Sequence, residues 1–182
     1  MTQRGYDPDR AKFHYAKTGH SGPIVLNTSE TVYAGAIDAA LIFQASAAKA
    51  GITINVNRVP ADGYYINVWQ KVPFCMVFYG GRPTADLMFA TSYASNAAWN
   101  DTHWRRPKFD ELLLAARSEL DRAKRKQMYG DMQRMIHEDG GAIIPIFNNF
   151  IDAGVATLRG FVPTPTRQMS GFRAAEKVWF AA

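Results

Sequence analysis

The chain of 182 residues has one cysteine, Cys75. An internal disulfide is therefore excluded. The thiol sits in an apolar run with nothing nearby to stabilise a thiolate, so it reads as buried and inert. No apolar stretch reaches the ~18 residues that span a membrane. Met1–Pro8 lacks the apolar core of a secretory signal. The four histidines, His14, His20, His103 and His137, have no His or Cys partner at ligand spacing, which argues against a metal site. No G-x-S-x-G elbow occurs, and Ser92, Ser95 and Ser118 carry no local sign of activation. Gly80-Gly81 lacks the spacing of a phosphate loop. The pairs Asp110-Glu111 and Glu138-Asp139 fall at helix ends, where carboxylates meet solvent and helix dipoles rather than perform acid–base work. This inventory offers no catalytic group, no metal and no cofactor.

A hydrophobic content of 47% suffices for a real core. The length suits one domain, or one large lobe with appendages, at the usual ~100–200 residues per domain. The net charge of +5 permits an acidic partner without demanding one. The basic run Arg122-Ala123-Lys124-Arg125-Lys126 has no interleaved aromatics and reads as a solvated helix face, so a nucleic-acid partner is not expected.

Element types alternate along the chain. Ile24–Thr28 reads as a strand after the turn at 19–23. Ala34–Ala50 reads as a helix with Ile37, Leu41, Ala45 and Ala48 on one stripe, ended by Gly51 as a left-handed cap. Ile52–Val59 alternates at period two, as a half-buried strand does. Asp62 is a suitable N-cap for a helix to about Gln70. Phe74–Tyr79 is a third, apolar strand. This β-α-β-α-β order predicts an α/β fold with a mixed, mostly parallel sheet flanked by helices. Further on, Pro107 starts a helix with Phe109, Leu112, Leu113 and Ala116 on one face. A second helix covers Asp121–Asp139, with Ala123, Met128, Met132, Met135 and Ile136 as its apolar positions, and Gly140-Gly141 breaks it. Ala142–Phe147 and Ile151–Leu158 read as strands, the first marked by Pro145 as an edge or bulge.

Candidate binding residues follow the third strand. Its apolar run stops at Tyr79-Gly80-Gly81 and then presents Arg82 and Asp86. Ligands of open α/β sheets gather outside the carboxyl ends of strands. A long irregular segment follows, holding Trp99 and Asn100 among small polar residues, and such loops often carry function. An aromatic ring with an amide neighbour suits a small organic ligand, although Trp99 serves equally as structural filling.

Four stretches, in order, resemble the family 5 extracellular solute-binding proteins of peptide-type (dipeptide, oligopeptide or nickel) ABC transporters. Tyr6-Asp7-Pro8-Asp9-Arg10-Ala11-Lys12 is similar to the family's Y-D-P-x-K-A-K helix start. The Ala-rich helix running into Gly51-Ile52-Thr53-Ile54-Asn55-Val56 resembles its W-x-x-x-G-I-x-V crossover. Trp104–Leu113 (Trp-Arg-Arg-Pro-Lys-Phe-Asp-Glu-Leu-Leu) resembles W-x-N-P-x-F-D-x-L-L. The helix through Arg125, Tyr129 and Gln133, followed by Ala142–Phe147, resembles R-x-x-x-Y-x-x-x-Q and an I-P-I strand.

The resemblance implies a periplasmic-binding-protein-like lobe, the carboxyl-terminal one of two, over residues 1–160. Residues 161–182 correspond to the tail that returns to the first lobe. It further implies a periplasmic protein, not an enzyme, that holds a peptide or small solute between two lobes like a hinged trap and delivers it to a permease. In peptide-binding members an Asp after the third strand pairs with the ligand's amino terminus; the resemblance places Arg82 at that position. Arg82 then either faces an anionic ligand group, which its planar fork suits, or pairs with Asp86 at the rim. A basic nucleic-acid-binding domain and a small α/β hydrolase are the alternatives from other classes.

Overall fold

Parallel strands cannot be joined by a tight turn and need a crossover. Ile24–Thr28 (β1, preceded by the helix Pro8–Ala16, α1) and Ile54–Arg58 (β2) are joined through Ala36–Lys49 (α2). The strands pair in parallel, Ile24 opposite Ile54 and Thr28 opposite Arg58. Residues 1–165 and 167–181 are described by the structure, a computed structural model. They form two compact units, Met1–Phe78 and Tyr79–Ala182.

In the first unit, α1 is capped by Asp7, whose Oδ1 accepts the Arg10 N–H at 2.8 Å. Gly51, at φ +73°, ends α2 as the sequence predicts. The buried face of α2 differs from the expected stripe. Ala36 and Ala40 are buried with Phe43 and Ala47 beside them, whereas Leu41 is 48% exposed and Ala45 and Ala48 face solvent. The helix is apolar around most of its circumference, so periodicity alone could not choose a face. The small alanines let it lie close to the strands, and Leu26, Ala40 and Ile54 form the core there.

The third strand is shorter than predicted. Phe74–Tyr79 makes one parallel bridge, Cys75 to Asn27. The Asn27 N–H donates to the Phe74 carbonyl at 3.1 Å, and the Met76 N–H donates to the Asn27 carbonyl at 2.9 Å. The next acceptor, the Met76 carbonyl, is taken by the Tyr64 hydroxyl at 2.7 Å. The ladder therefore stops and the chain leaves the sheet. Tyr64 is only 1% exposed and anchors a second small core with Val32, Ala36 and Val68. Its helix, Tyr64–Asn67 (α3), is one turn long. Gly63 in the left-handed region opens it, not Asp62, and it does not reach Gln70.

The second unit is helical. Thr84 caps a helix absent from the sequence reading, Ala85–Ser92 (α4), through its Oγ1 and the Leu87 N–H. Pro107–Ser118 (α5) buries Phe109, Leu113 and Ala116 as expected. Asp121 caps Arg122–Asp139 (α6), accepting from the Ala123 and Lys124 N–H groups. In α6, Met132 is fully buried and Met128, Met135 and Ile136 pack around it, but Ala123 is exposed. This helix packs on α5 within the second unit. Phe109 lies edge-on to Phe89 and Trp104, with ring centroids 5.4 and 5.1 Å away. The Trp104 indole N–H donates to Asp139 at 3.0 Å.

The two strands expected after α6 do not form as read. Ala142–Phe147 has no strand partner and lies exposed, with Phe147 90% accessible. Strand-forming composition yields a strand only where a neighbour accepts its ladder. Of Ile151–Leu158, only the last residue is in a strand. Leu158–Arg159 (β3) pairs antiparallel with Trp179–Phe180 (β4), after the short segments Gln168–Phe172 (α7) and Ala174–Lys177 (α8).

Candidate functional site

The loop that follows the third extended segment places its side chains around Trp99. The Tyr79 hydroxyl donates to the Trp99 carbonyl at 2.7 Å, and the two rings meet edge-on at 6.3 Å. Burial, and then the Asp101 carboxylate, push the Tyr79 phenol well above its ordinary range. Tyr79 therefore stays a neutral donor that fixes the Trp99 turn. Arg82 turns back over this platform. Its Cζ lies 5.4 Å from the Trp99 ring centroid, and its Nη1 donates to the Gly80 carbonyl at 3.0 Å. A guanidinium on an indole face keeps its in-plane N–H edge available to an acceptor. Trp99 is 42% exposed, so the stack is open to solvent on part of its surface.

Asp86 is not the partner of Arg82. It begins α4 and is bound by Arg117 from α5, at 2.8 and 3.1 Å, and by the Tyr129 hydroxyl from α6, at 3.0 Å. The Arg117 hydrogen bonds hold its carboxyl below the usual carboxylate range, with Tyr129 adding to the effect. Asp86 thus staples three helices together. Asn100 is likewise committed to structure. It is 6% exposed, and its amide donates to the Trp104 carbonyl at 2.6 Å and to that of Ala94 at 3.4 Å. Of the residues singled out in the sequence, Tyr79, Gly80, Arg82 and Trp99 come together, Gly81 lies half-buried in the same loop, and Asp86 and Asn100 build its support.

One residue at this loop had no signal in the sequence. The Arg167 guanidinium occupies the space a Cβ on Gly80 would fill, its Cζ 2.9 Å from that position. A side chain at residue 80 would have to displace the end of this arginine. Arg167 lies far along the chain in a Pro- and Thr-rich stretch, and no local pattern links it to Gly80.

The first unit carries a separate cleft of about 350 Å³ past the carboxyl ends of β1 and β2, lined by Glu30, Tyr33, Asp38 and Arg58 among others. Among the described residues, no group of three or more His, Cys, Asp or Glu side chains is placed to hold a metal ion. No helix among them is long and apolar enough to cross a membrane.

No family model and no curated protein matches the chain. Solved structures do. The periplasmic binding protein DppA of Helicobacter pylori, in complex with the peptide STSA, is 23% identical with a TM-score of 0.63, over 75% of this chain and 28% of that one. NikZ of Campylobacter jejuni, in complex with Ni(L-His), is 21% identical with a TM-score of 0.61, over 74% and 30%. MoaA of A. tumefacien R10, in complex with mannopinic acid, is 26% identical with a TM-score of 0.58, over 72% and 28%. The match therefore spans less than a third of each of these proteins. The likeness establishes the architecture: the chain has the α/β fold of the periplasmic-binding-protein kind seen in ABC transporter substrate-binding proteins.

Proposed function

We propose that the chain is the ligand-binding part of an ABC importer's substrate-binding protein, with a binding role and no catalytic one. It supplies one wall of a trap; a second lobe supplies the other, and the loaded protein delivers its solute to a membrane permease. The reading places it in the periplasm. The fold supports the binding role, because the solved proteins it resembles hold small solutes. Those neighbours hold a peptide, a nickel–histidine complex and an acid, so the fold does not choose the ligand. The choice rests on the site.

One observation carries the ligand class. Among the described residues no carboxylate pairs with Arg82, and its guanidinium lies over the Trp99 ring, tied to the Gly80 carbonyl. A cation kept in this way, beside a glycine loop that permits close approach, suits an anionic group of the ligand. Tyr79, Gly80, Gly81, Arg82 and Trp99 form the proposed wall. The test is a titration screen of dipeptides, oligopeptides, Ni(L-His) and small organic acids. Acidic members are expected to bind and neutral analogues to bind less. A preference for ligands with a free ammonium and no acid, or a steeply salt-dependent affinity for DNA instead, would contradict the proposal.

A further inference from the structure

Gly80 is touched by two cationic side chains. Arg82 donates to its carbonyl at 3.0 Å. The Arg167 guanidinium fills the place a Cβ on Gly80 would take, with Cζ 2.9 Å and Nη2 3.1 Å from that position. Four other arginines are neutralised: Arg58 by Glu30, Arg106 by Asp139, Arg117 by Asp86 and Arg173 by Glu176. Arg82 and Arg167 have no such partner among the described residues. Each lies over a ring instead, the Arg82 Cζ 5.4 Å from the Trp99 centroid and the Arg167 Cζ 5.7 Å from that of Phe172. Like charges gathered on one residue repel, and an anion bound between them reverses the sign of the interaction. A ring is no hydrogen-bond acceptor for the whole fork, so guanidinium N–H donors remain for such an anion.

Arg167 is extended, and the backbone just after it is strained at its non-glycine residues. Met169, Ser170, Gly171 and Phe172 have φ values of 50°, 56°, 77° and 63°. Only glycine enters this left-handed region freely. The turn is held in place by its surroundings. Ser170 is 1% exposed, and its hydroxyl accepts the Val162 N–H at 3.1 Å. Both Asp152 oxygens accept the Met169 N–H at 3.2 Å. Strain of this kind persists where the surrounding structure over-determines it, and it concentrates at ligand clamps.

We propose that Arg82 and Arg167 form a two-guanidinium clamp at Gly80 for a doubly charged oxyanion of the ligand, either a phosphate monoester or a close pair of carboxylates. The clamp deepens the reading of the Tyr79–Arg82 loop as a ligand wall and rests on it.

The experiment titrates the protein with methyl phosphate, malonate and acetate at constant ionic strength and about pH 8, where a phosphate monoester is doubly ionised because its second pKa is ≈ 6. The Gly80 amide resonance reports occupancy. Methyl phosphate or malonate should bind at least roughly tenfold more tightly than acetate, as a second charge-assisted contact implies, and the tighter of the two identifies the source of the charge. Arg167→Ala should abolish this preference while acetate binding stays near wild type. Arg167→Lys should restore part of it. Gly80→Ala should resemble Arg167→Ala, since its methyl displaces the guanidinium. Equal affinities for the three anions in the wild type, or an undiminished preference in a folded Arg167→Ala protein, would overturn the clamp. If Arg82→Ala still weakens acetate in that case, the wall reading survives; if neither arginine affects any anion, both readings fall. Circular dichroism of each variant separates lost binding from lost folding.

Discussion

The Arg82 guanidinium lies 5.4 Å from the centroid of the Trp99 ring, while Asp86, four residues along the chain, is bound by Arg117 and Tyr129. The nearest acid in sequence is thus engaged elsewhere, and an aromatic face takes its place beneath the cation. The ring orients Arg82 without neutralising it. Removing the ring should loosen the guanidinium while keeping its charge. Trp99→Ala should weaken binding of an acidic solute by the ~0.5–1 kcal/mol of an exposed cation–π contact, about two- to fivefold. Trp99→Phe should recover part of the loss. Isothermal titration of the three proteins measures it, and equal affinities would remove the stack from the account.

The Asp86 staple has its own signature in pH. Its carboxyl titrates below the usual range when folded, chiefly because Arg117 hydrogen-bonds it. A depressed folded pKa stabilises the protein above the ordinary value of ~3.9 and loses that contribution as pH falls through the folded value. Stability should therefore be flat in this respect from neutral to mildly acidic pH and fall below about pH 4. Asp86→Asn should flatten that fall and cost about 1 kcal/mol near neutrality, a value reduced by the exposure of Arg117. Urea denaturation across the acid range is the measurement. An acid limb unchanged in the variant would show that other carboxylates govern it.

The Tyr64 hydroxyl ends the sheet by capturing the Met76 carbonyl, and it also reaches the Asn27 carbonyl at 3.2 Å. Tyr64→Phe should leave a part-buried acceptor without its donor and cost about 1–3 kcal/mol. The loss should be accompanied by faster amide exchange at Met76, whose N–H holds the parallel bridge to Asn27. A stability loss without local exchange would mean that Tyr64 acts through packing alone.

These same contacts mark how far the sequence could be read. Helix α5 was legible because Pro107 sits at its start and Phe109, Leu113 and Ala116 recur on one face, which is also the face that is buried. Helix α4 has a capping threonine, Thr84, before an apolar run, but the Gly80-Gly81 break just ahead of it reads equally as the start of a longer loop. The third strand was legible as an apolar run and not as a single bridge, since its length is set by a tyrosine on another element. Ala142–Phe147 has the composition of a strand and no neighbour to pair with. At the proposed wall, Tyr79, Gly80 and Arg82 stand out in the sequence by the break in hydropathy. Asn100, expected in an irregular segment beside the ligand, is buried and bonds Trp104 and Ala94, and Arg167 reaches Gly80 only through the fold.

Phe109 tests the helical core of the second unit. It is fully buried and meets both Phe89 and Trp104 edge-on. Phe109→Ala should destabilise by about 3–5 kcal/mol, the range for a large buried ring. Phe109→Leu should cost less, because more of the volume is kept. Thermal denaturation followed by far-ultraviolet circular dichroism compares them, and equal melting temperatures for wild type and Phe109→Ala would contradict the packing described.

If the chain is one wall of a two-walled trap, as proposed, it should hold a solute weakly, since most of a ligand's surface is covered only when a pocket closes around it. Calorimetric titration of the 182-residue chain alone against dipeptides, oligopeptides and organic acids should give affinities weaker than about micromolar, the ≈ −8.2 kcal/mol range of a competent site. Micromolar binding by the chain alone would mean that it is a complete binding module.

The central claim is that Arg82 selects an anionic group, and one comparison addresses it directly. Wild type, Arg82→Ala and Arg82→Lys would be titrated against an acidic solute and its neutral amide. Arg82→Ala should lose ~1.5–3 kcal/mol for the acid, roughly ten- to a hundredfold, and little for the amide. Arg82→Lys should recover only part of the loss, because an ammonium cannot bind a carboxylate in bidentate fashion. Equal losses for acid and amide, or no loss for either, would show that Arg82 only packs on Trp99 and does not choose the ligand.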